Sequence, residues 1–392
     1  MDVSGIVEYR VRPAAFEDIQ RVHFCVPDES FVTTESHLIS AGGCLVAADA
    51  VMKGEVESAF ALVRPPGHHA MRVVHGNRGF CNINIEGVMI EYLRDTYGVE
   101  KVAIVDTDCH HGDGSQDLYW HDPNTLFISI HQDGRTLYPG SGFPEEAGGP
   151  NALGKTVNIP LPPGTGERGF LTVLDELIMP LLERFEPDIV INSAGQDNHF
   201  NDPITNMNFS ARGYAELNAR LRPDIAVLEG GYAVENALPY VNVGILMAMA
   251  GLNTTTVKEP NYDRDYQEQP SEITRYIEQL IMALRKRFLG ETIPHAAHQE
   301  GHVVERSRDI YYDTDGIQER QHEKIRICSL CAGALSIAST SNRGQHVLAV
   351  HIPLNACEAC QEQAREWFDQ GKRGAFSHLY LQDRLNKTYK RI

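Results

Sequence analysis

The sequence predicts an α/β fold built on a mainly parallel sheet, followed by a small C-terminal unit. Three observations carry this reading. Between Thr33 and Leu252, short apolar runs of strand length alternate with longer helical patterns. The chemically unusual residues fall just after those apolar runs, at the carboxyl ends where such sheets hold their sites. Two Cys-x-x-C pairs, Cys328 with Cys331 and Cys357 with Cys360, stand apart from the rest of the pattern.

The elements follow in order. Residues 1–32 offer little beyond a short helix starting near Ala14. Thr33 to Met52 reads as a helix, with Thr34 as N-cap and Leu38, Cys44, Leu45, Ala48 and Val51 on one side. Ser58 to Val63 reads as a buried strand that runs into Arg64-Pro65-Pro66-Gly67-His68-His69, where the prolines end it. Ile85 to Tyr97 is a helix, Val102 to Val105 a strand, Asp113 to Trp120 a short helix and Thr125 to His131 a strand. Tyr138 to Gly142 is a glycine-rich loop, and Asn158 to Gly164 is expected as an extended connector. Gly169 to Phe185 has the clearest amphipathic spacing, and Pro187 stops it. A strand over Asp188 to Asn192, a helix over Ala211 to Leu221 and a strand over Asp224 to Leu228 complete the alternation. Asn253 to Pro270 is a polar loop, and Ser271 to Phe288 returns to helix. The expected division is 1–290 for the main α/β domain, 291–323 for a linker and 324–392 for the four-cysteine unit.

The stretch after the second of these strands concentrates the chemistry. Asp106, Asp108 and Asp113 stand with His110 and His111 inside eight residues. Asp106, Asp108 and His110 are two apart and share one side of any continuing strand. Burying so many acids is costly unless a cation holds them, and a divalent metal with oxygen and nitrogen ligands would do so. Asp108, His110 and Asp197 would make three ligands to Zn²⁺ and leave positions open for water and a substrate carbonyl. His68, His69, Asp197 and Tyr232 fall at other strand ends, so several connections converge on one site.

The formal net charge of −18 argues against non-specific binding of nucleic acid or anionic membrane. It suits a basic partner, such as a lysine-bearing peptide or a polyamine. No apolar run is long enough to span a bilayer, and the N-terminus lacks a basic segment followed by an apolar core. A cytoplasmic protein is expected, and in a reducing compartment the paired cysteines read as metal ligands rather than disulfides.

Together, RPPGHHA at 64–70, GFCNIN at 79–84, DTDCHHGDG at 106–114, SIHQDGRTLYPGSG at 129–142, NIPLPPGTG at 158–166, SAGQDNHFNDP at 193–203 and LEGGY at 228–232 resemble the histone deacetylase family. The wording is closer to class II, bacterial deacetylase and acetylpolyamine amidohydrolase-like members than to class I. The resemblance implies the three-layer arginase–deacetylase fold and zinc-dependent hydrolysis of an acetyl (acyl) amide, most simply an acetyl-lysine in a peptide or protein. It implies His69 as general base and then acid, with His68 as its electrostatic partner. Asp106 orients His68, Asp113 orients His69, and Tyr232 donates to the developing oxyanion. Phe80 and Tyr138, with Gly79, would wall a channel for the acyl-lysine stem. A monovalent cation such as K⁺ is implied near Asp106, Asp108, His110 and Ser129. Ile204 stands where polyamine-selective members carry an acid, which favours acyl-lysine over acetylpolyamine. His111 is left with a structural role. Asp28 or Glu29 is equally a rim acid or a solvated charge.

Two rival readings stay open: a two-metal ureohydrolase of the same superfamily, and a non-catalytic module that binds acyl-lysine or a partner. The family domain usually begins a few dozen residues earlier, so either the true start lies upstream or the sheet lacks an N-terminal edge strand and part of the site rim. Cys328, Cys331, Cys357 and Cys360 have the spacing of a structural zinc in a zinc ribbon, with His346 to Ile352 as a strand between the pairs. An iron–sulfur site and a redox dithiol pair are the alternatives. Arg373, Arg384, Lys387, Lys390 and Arg391 are expected as a solvated basic tail. The oligomeric state is not readable.

Overall fold

The structure is a computed structural model that describes residues 5–290 and 299–392. In chain order the first strands are β1 (Phe24–Cys25), β2 (Ala59–Ala61), β3 (Val73–Val74), β4 (Val102–Asp106), β5 (Thr125–Gln132), β6 (Thr156–Leu161), β7 (Ile189–Ser193) and β8 (Ile225–Val227). Among the described residues, six of these form one parallel sheet in the order β2-β8-β7-β4-β5-β6. Its strands are apolar on both faces, as parallel strands covered by helices must be. Val102 and Ile104 of β4 join the core under the helices Glu35–Met52 and Ile85–Tyr97. Ala103 and Val105 join the opposite core, under Ala211–Leu221, Ser271–Phe288 and the helical segment that starts at Glu167. The result is three layers, with β4 near the centre of the middle one.

Most expected elements stand where the periodicity puts them. Thr34 is the N-cap of Glu35–Met52, and Asn84 caps Ile85–Tyr97 by accepting from Gly87 N. The amphipathic helix begins at Glu167 and ends at Phe185, with a π-helical turn over Leu174–Ile178. Two elements differ from expectation. Asn158 to Gly164 is not only a connector, because Thr156–Leu161 pairs with β5 as the sheet's edge strand. Its Pro160 disguised it, and an edge is where a strand tolerates proline. Leu238–Met249 forms a further helix with Pro239 in its first turn.

The expected linker is the larger correction. Residues 291–298 lie outside the described residues, but beyond them Val303–Tyr312 (β9) and Ile317–Arg326 (β10) form a long antiparallel hairpin. It is followed by β11 (Leu335–Ser341), β12 (His346–Ile352), β13 (His378–Asp383) and β14 (Thr388–Arg391). These strands build a second sheet in the order β14-β13-β12-β11-β10-β9. The hairpin escaped the hydropathy pattern because its inward residues include Glu319, Gln321 and Glu323, all buried. The C-terminal unit is therefore larger than a zinc ribbon. The helix Glu358–Gly371 crosses between the parallel strands β12 and β13 and covers one sheet face with Ala364, Trp367 and Phe368. The other face packs through Ile337, Val347, Ala349 and Tyr380 on Phe24 and Val73 of the first domain. Arg384, expected in a solvated tail, is instead buried and paired with Glu91 and Asp95.

His23, just before β1, is buried within the first domain. Its Nε2 accepts from Asn84 N and its Nδ1 donates to the Met71 carbonyl, both at 2.8 Å. Both bonds require the neutral ring. Burial holds its pKa down at about 4. The unfolded chain binds the proton below about 6.5, so this stability is present above that pH and is lost as pH falls toward 4. His23→Gln keeps a donor and an acceptor without titrating. The free energy of unfolding should fall less steeply from pH 7 to 5.5 in that variant than in the parent, by roughly 1 kcal/mol at the acid end. Denaturant titrations at the two pH values measure this.

Candidate active site

The site sits at the carboxyl ends of β4, β7 and β8, where the chain leaves the sheet and the next helix has not begun. Asp106 is the last residue of β4 and lies in register with Ser129 and Ser193. Beyond it the chain turns through Asp108 and His110, and β7 delivers Asp197 through the Ala194–Asp197 turn. One carboxylate oxygen or imidazole nitrogen from each of Asp108, His110 and Asp197 lies within 4.8 Å of the others, and all three residues are buried. His110 Nδ1 stands 2.8 Å from Asp197 Oδ2 and 3.3 Å from Asp108 Oδ1.

Backbone amides hold these carboxylates from behind. Gly230 N donates to Asp108 Oδ2 at 2.7 Å, and Cys109 N donates to Asp197 Oδ1 at 2.8 Å. Two glycines make room for them: a Cβ on Gly195 would lie 2.0 Å from Asp108 Oδ2, and one on Gly230 would lie 2.4 Å from Asp197 Oδ2. The donor set is two carboxylates and one imidazole, which fits a borderline divalent cation such as Zn²⁺. Burial, then the charge of Asp108, raises the Asp197 carboxyl to about 7. A cation between the two is what would let both stay ionised.

The paired histidines stand beside this cluster, each with its own carboxylate. His68 Nδ1 is 3.1 Å from Asp106 Oδ2, and His69 Nδ1 is 2.9 Å from Asp113 Oδ1. Their ring centroids are 4.1 Å apart. Their environments push them in opposite directions. Burial opposes the charge on His68, but Asp108 and Asp106 outweigh it and hold its pKa well above the ordinary value. Burial and the neighbouring His68 charge lower His69 to about 3, against the pull of Asp113. Two imidazoles driven apart in this way suit one fixed charge and one neutral proton acceptor.

The other predicted side chains line the approach. The ring of Tyr138 lies edge-on to His69 at 5.2 Å, and Phe80 lies 5.6 Å from Tyr232. Phe80 is half exposed and has φ of 65°, a left-handed conformation unusual for a bulky residue. Gly79 sits so close to His69 that a Cβ would meet its Cδ2 at 2.4 Å. Tyr232 is placed by its backbone, whose N donates to Asp202 Oδ2 at 2.8 Å, and by Arg64, whose guanidinium lies over its ring at 5.6 Å. Ile204 is exposed on the same Asp202 turn. Both nitrogens of His111 are engaged, by Ser141 and Gln116. Asp28 is not brought to the site: it caps the turn at Phe31 and pairs with Arg391, while Glu29 is buried.

Three residues with parts in this arrangement were not picked out from the sequence. Glu229 Oε2 accepts from Gly67 N and His68 N at 2.6 and 3.0 Å, which fixes the backbone under the histidine pair. Arg78 makes a two-pronged pair with Asp113, at 2.7 and 2.6 Å. Asp313, in the turn of the C-terminal hairpin, accepts from both Tyr138 Oη and Gly79 N through Oδ1, each at 2.9 Å. Glu229 alone carried a signal, as the acid of LEGGY. The other two depend on approaches that no local pattern records.

The four cysteines form a second cluster, their sulfurs within 4.8 Å of one another. Cys328 and Cys331 follow β10, while Cys357 is the N-cap of a helix and Cys360 lies in its first turn. Leu330 N donates to Cys328 Sγ and Gly333 N to Cys331 Sγ, each at 3.4 Å, which favours thiolates.

With the fold and the site in view, the chain belongs to the histone deacetylase family: residues 12–243 match the family described as the histone deacetylase domain. Among its relatives, the chain is 50% identical over 235 residues to a probable deacetylase of Archaeoglobus fulgidus, covering 57% of this chain and 64% of that one. It is 31% identical over 303 residues to the histone deacetylase-like amidohydrolase of Pseudomonas aeruginosa, covering 69% and 78%. The crystal structure of the HDA15 HD domain superposes with a TM-score of 0.61 at 25% identity, over 72% of this chain and 82% of that one. The chain thus spans just under two thirds of the first curated relative, and the family match ends before β9. Among the described residues, no helix is long and apolar enough to cross a membrane.

Removing one partner of a buried ion pair leaves the other charge uncompensated. Arg78→Ala should therefore destabilise the protein by about 3 kcal/mol or more, measured by denaturant unfolding. A loss under about 1 kcal/mol would mean that Asp113 does not depend on Arg78.

Proposed function

We propose that this chain is a zinc-dependent deacetylase that hydrolyses acetyl-lysine in a peptide or protein. The observation that carries it is the pairing of a two-carboxylate, one-imidazole donor set with two adjacent histidines that each have a separate carboxylate. Asp108, His110 and Asp197 would hold the metal. When bound, it would polarise the substrate carbonyl and acidify water.

The chain's own residues do the rest. His69, neutral and turned by Asp113, takes the proton of the attacking water on Nε2 and passes it to the leaving amine. His68, kept charged by Asp106 and Asp108, stabilises the negative charge that develops beside it. The Tyr232 hydroxyl, whose proton is firmly held because burial and then the neighbouring Asp197 and Asp108 charges raise its pKa, donates to the oxyanion. Phe80 and Tyr138 flank the lysine stem and exclude water from it. Asp313 positions both walls of that channel. The apolar, exposed Ile204 favours a lysine side chain over a polyamine, which would need a carboxylate at the rim. A monovalent cation near Asp106, Asp108, His110 and Ser129, which the family implies, is part of this reading. The four cysteines are read as a structural zinc site, and eight unpaired cysteines suit a reducing, cytoplasmic setting.

Hydrolysis of a fluorogenic acetyl-lysine peptide, with acetylpolyamines in parallel, tests this reading. Zinc-loaded protein should cleave the peptide in preference. No turnover of any acylamide would favour a binding module. His69→Ala should lower kcat at least about 100-fold with little change in KM, and Tyr232→Phe should behave alike. Asp313→Ala should mainly raise KM, because it loosens the channel walls while Asp315 and the Arg78–Asp113 pair still hold the segment behind His69. Steady-state kinetics on the three variants separates these effects.

A further inference from the structure

A cavity of about 300 Å³ lies at the seam between the first domain and the C-terminal sheet, away from the catalytic cluster. That is the lower end of the range for small-molecule sites, roughly 300–1,000 Å³. Four arginines line it: Arg21, Arg72 and Arg94 from the first domain and Arg384 from the C-terminal unit. Three of them are answered by carboxylates. Arg94 pairs with Glu91 at 3.0 Å and Asp122 at 2.8 Å. Arg384 pairs with Glu91 at 2.9 Å and Asp95 at 3.0 Å, and Arg21 pairs with Asp95 at 3.1 Å and with Asp18. Glu91 and Asp95 are thus each shared by two arginines, and neither is left for the fourth.

Arg72 is that fourth residue. It is 9% exposed, its Nη2 donates to the Leu118 carbonyl, and its Nε is buried with no acceptor. Asp117, which accepts from its backbone N, is itself paired with Arg308. Among the described residues, Arg72 makes no ion pair. Asp117 and Glu91 lie near enough to feel its charge, but neither pairs with it directly, and a buried guanidinium without a direct partner is costly and rarely left so. His121 and His351 also line the cavity. Burial, and then the charges of nearby arginines including Arg72, hold both well below the ordinary imidazole range, so neither adds a charge to a lining in which Glu91, Glu100 and Asp122 stand beside the arginines.

We infer that the seam cavity is a binding site for a small oxyanion, a carboxylate or a phosphate, held by Arg72 and enclosed by both domains. A guanidinium fork matches a planar or tetrahedral oxyanion with two parallel hydrogen bonds. Because Arg72 belongs to the first domain while Ile325, Leu335 and His351 line the cavity from the C-terminal sheet, the bound anion ties that sheet to the domain that carries His69. Nothing in the deacetylase reading requires this site, so the two stand or fall separately.

The test is thermal unfolding and calorimetric titration of the full zinc-loaded chain with inorganic phosphate, glycerol 3-phosphate and acetate, against sodium chloride at matched ionic strength. At least one oxyanion should raise the midpoint by about 2 °C or more, while chloride does not. The choice among the three identifies the ligand's chemistry. Arg72→Met should abolish the shift, and Asp108→Ala should keep it. Where Arg72→Met does not fold, Arg72→Lys keeps the charge and loses the fork, and should weaken binding at least about tenfold. No oxyanion-specific shift in the parent protein would overturn the inference. So would unchanged affinity in the Arg72 variants, or a shift lost in Asp108→Ala instead, which would put the anion on the catalytic cluster.

Discussion

Asp108 and Asp197 are buried side by side with the ring of His110 bridging them, and the surrounding structure answers that concentration of negative charge. Two carboxylates this close cannot both ionise without a cation, which is why burial and Asp108 together raise Asp197. Amides from Cys109 and Gly230 aim at them, glycines give them room, and a charged His68 stands at 3.7 Å from Asp108. Burial, and then the charge on His68, keeps His69 neutral. The proposed acid–base pair is thus coupled to the candidate metal ligands through His68. Asp113 completes it: Arg78 keeps this carboxylate ionised, so that it orients His69 without taking its proton.

The C-terminal unit belongs to this arrangement physically. Besides its apolar sheet face, it meets the first domain through buried polar pairs: Arg308 with Asp117, His75 with Ser339, and Arg384 with Glu91 and Asp95. Polar interfaces of this kind are weak per unit area but specific in register, because an unpaired partner is expensive. The hairpin turn exploits that register. Asp315 accepts from Asn77 N and Asp313 from Gly79 N, so the segment carrying Arg78 is held at both sides. The hairpin that looked like a linker thus bears on His69 through Arg78 and Asp113.

What was legible in the sequence follows from what repeats locally. The parallel sheet was readable because its strands are apolar on both faces, and Val102 to Val105 shows it. The clustering of Asp108, His110 and Asp197 and the histidine pair were readable because Asp108 and His110 stand two apart and the histidines are adjacent. The hairpin was not, since Glu319, Gln321 and Glu323 point inward and remove the apolar alternation. Pro160 concealed an edge strand in the same way. Arg78, Asp313 and Arg72 were invisible for a different reason: their partners lie tens to hundreds of residues away, and single charges at such separations leave no pattern.

The central claim is that Asp108, His110 and Asp197 hold a catalytic zinc distinct from the four-cysteine site. X-ray absorption at the zinc edge of the full chain tests it most directly, compared with a Cys328→Ser, Cys331→Ser double variant. The account predicts a mixture of about 2.0 Å nitrogen or oxygen ligands and about 2.3 Å sulfur ligands in the parent. The double variant should retain the nitrogen–oxygen shell and lose the sulfur one. A parent spectrum with sulfur ligands alone would contradict the account.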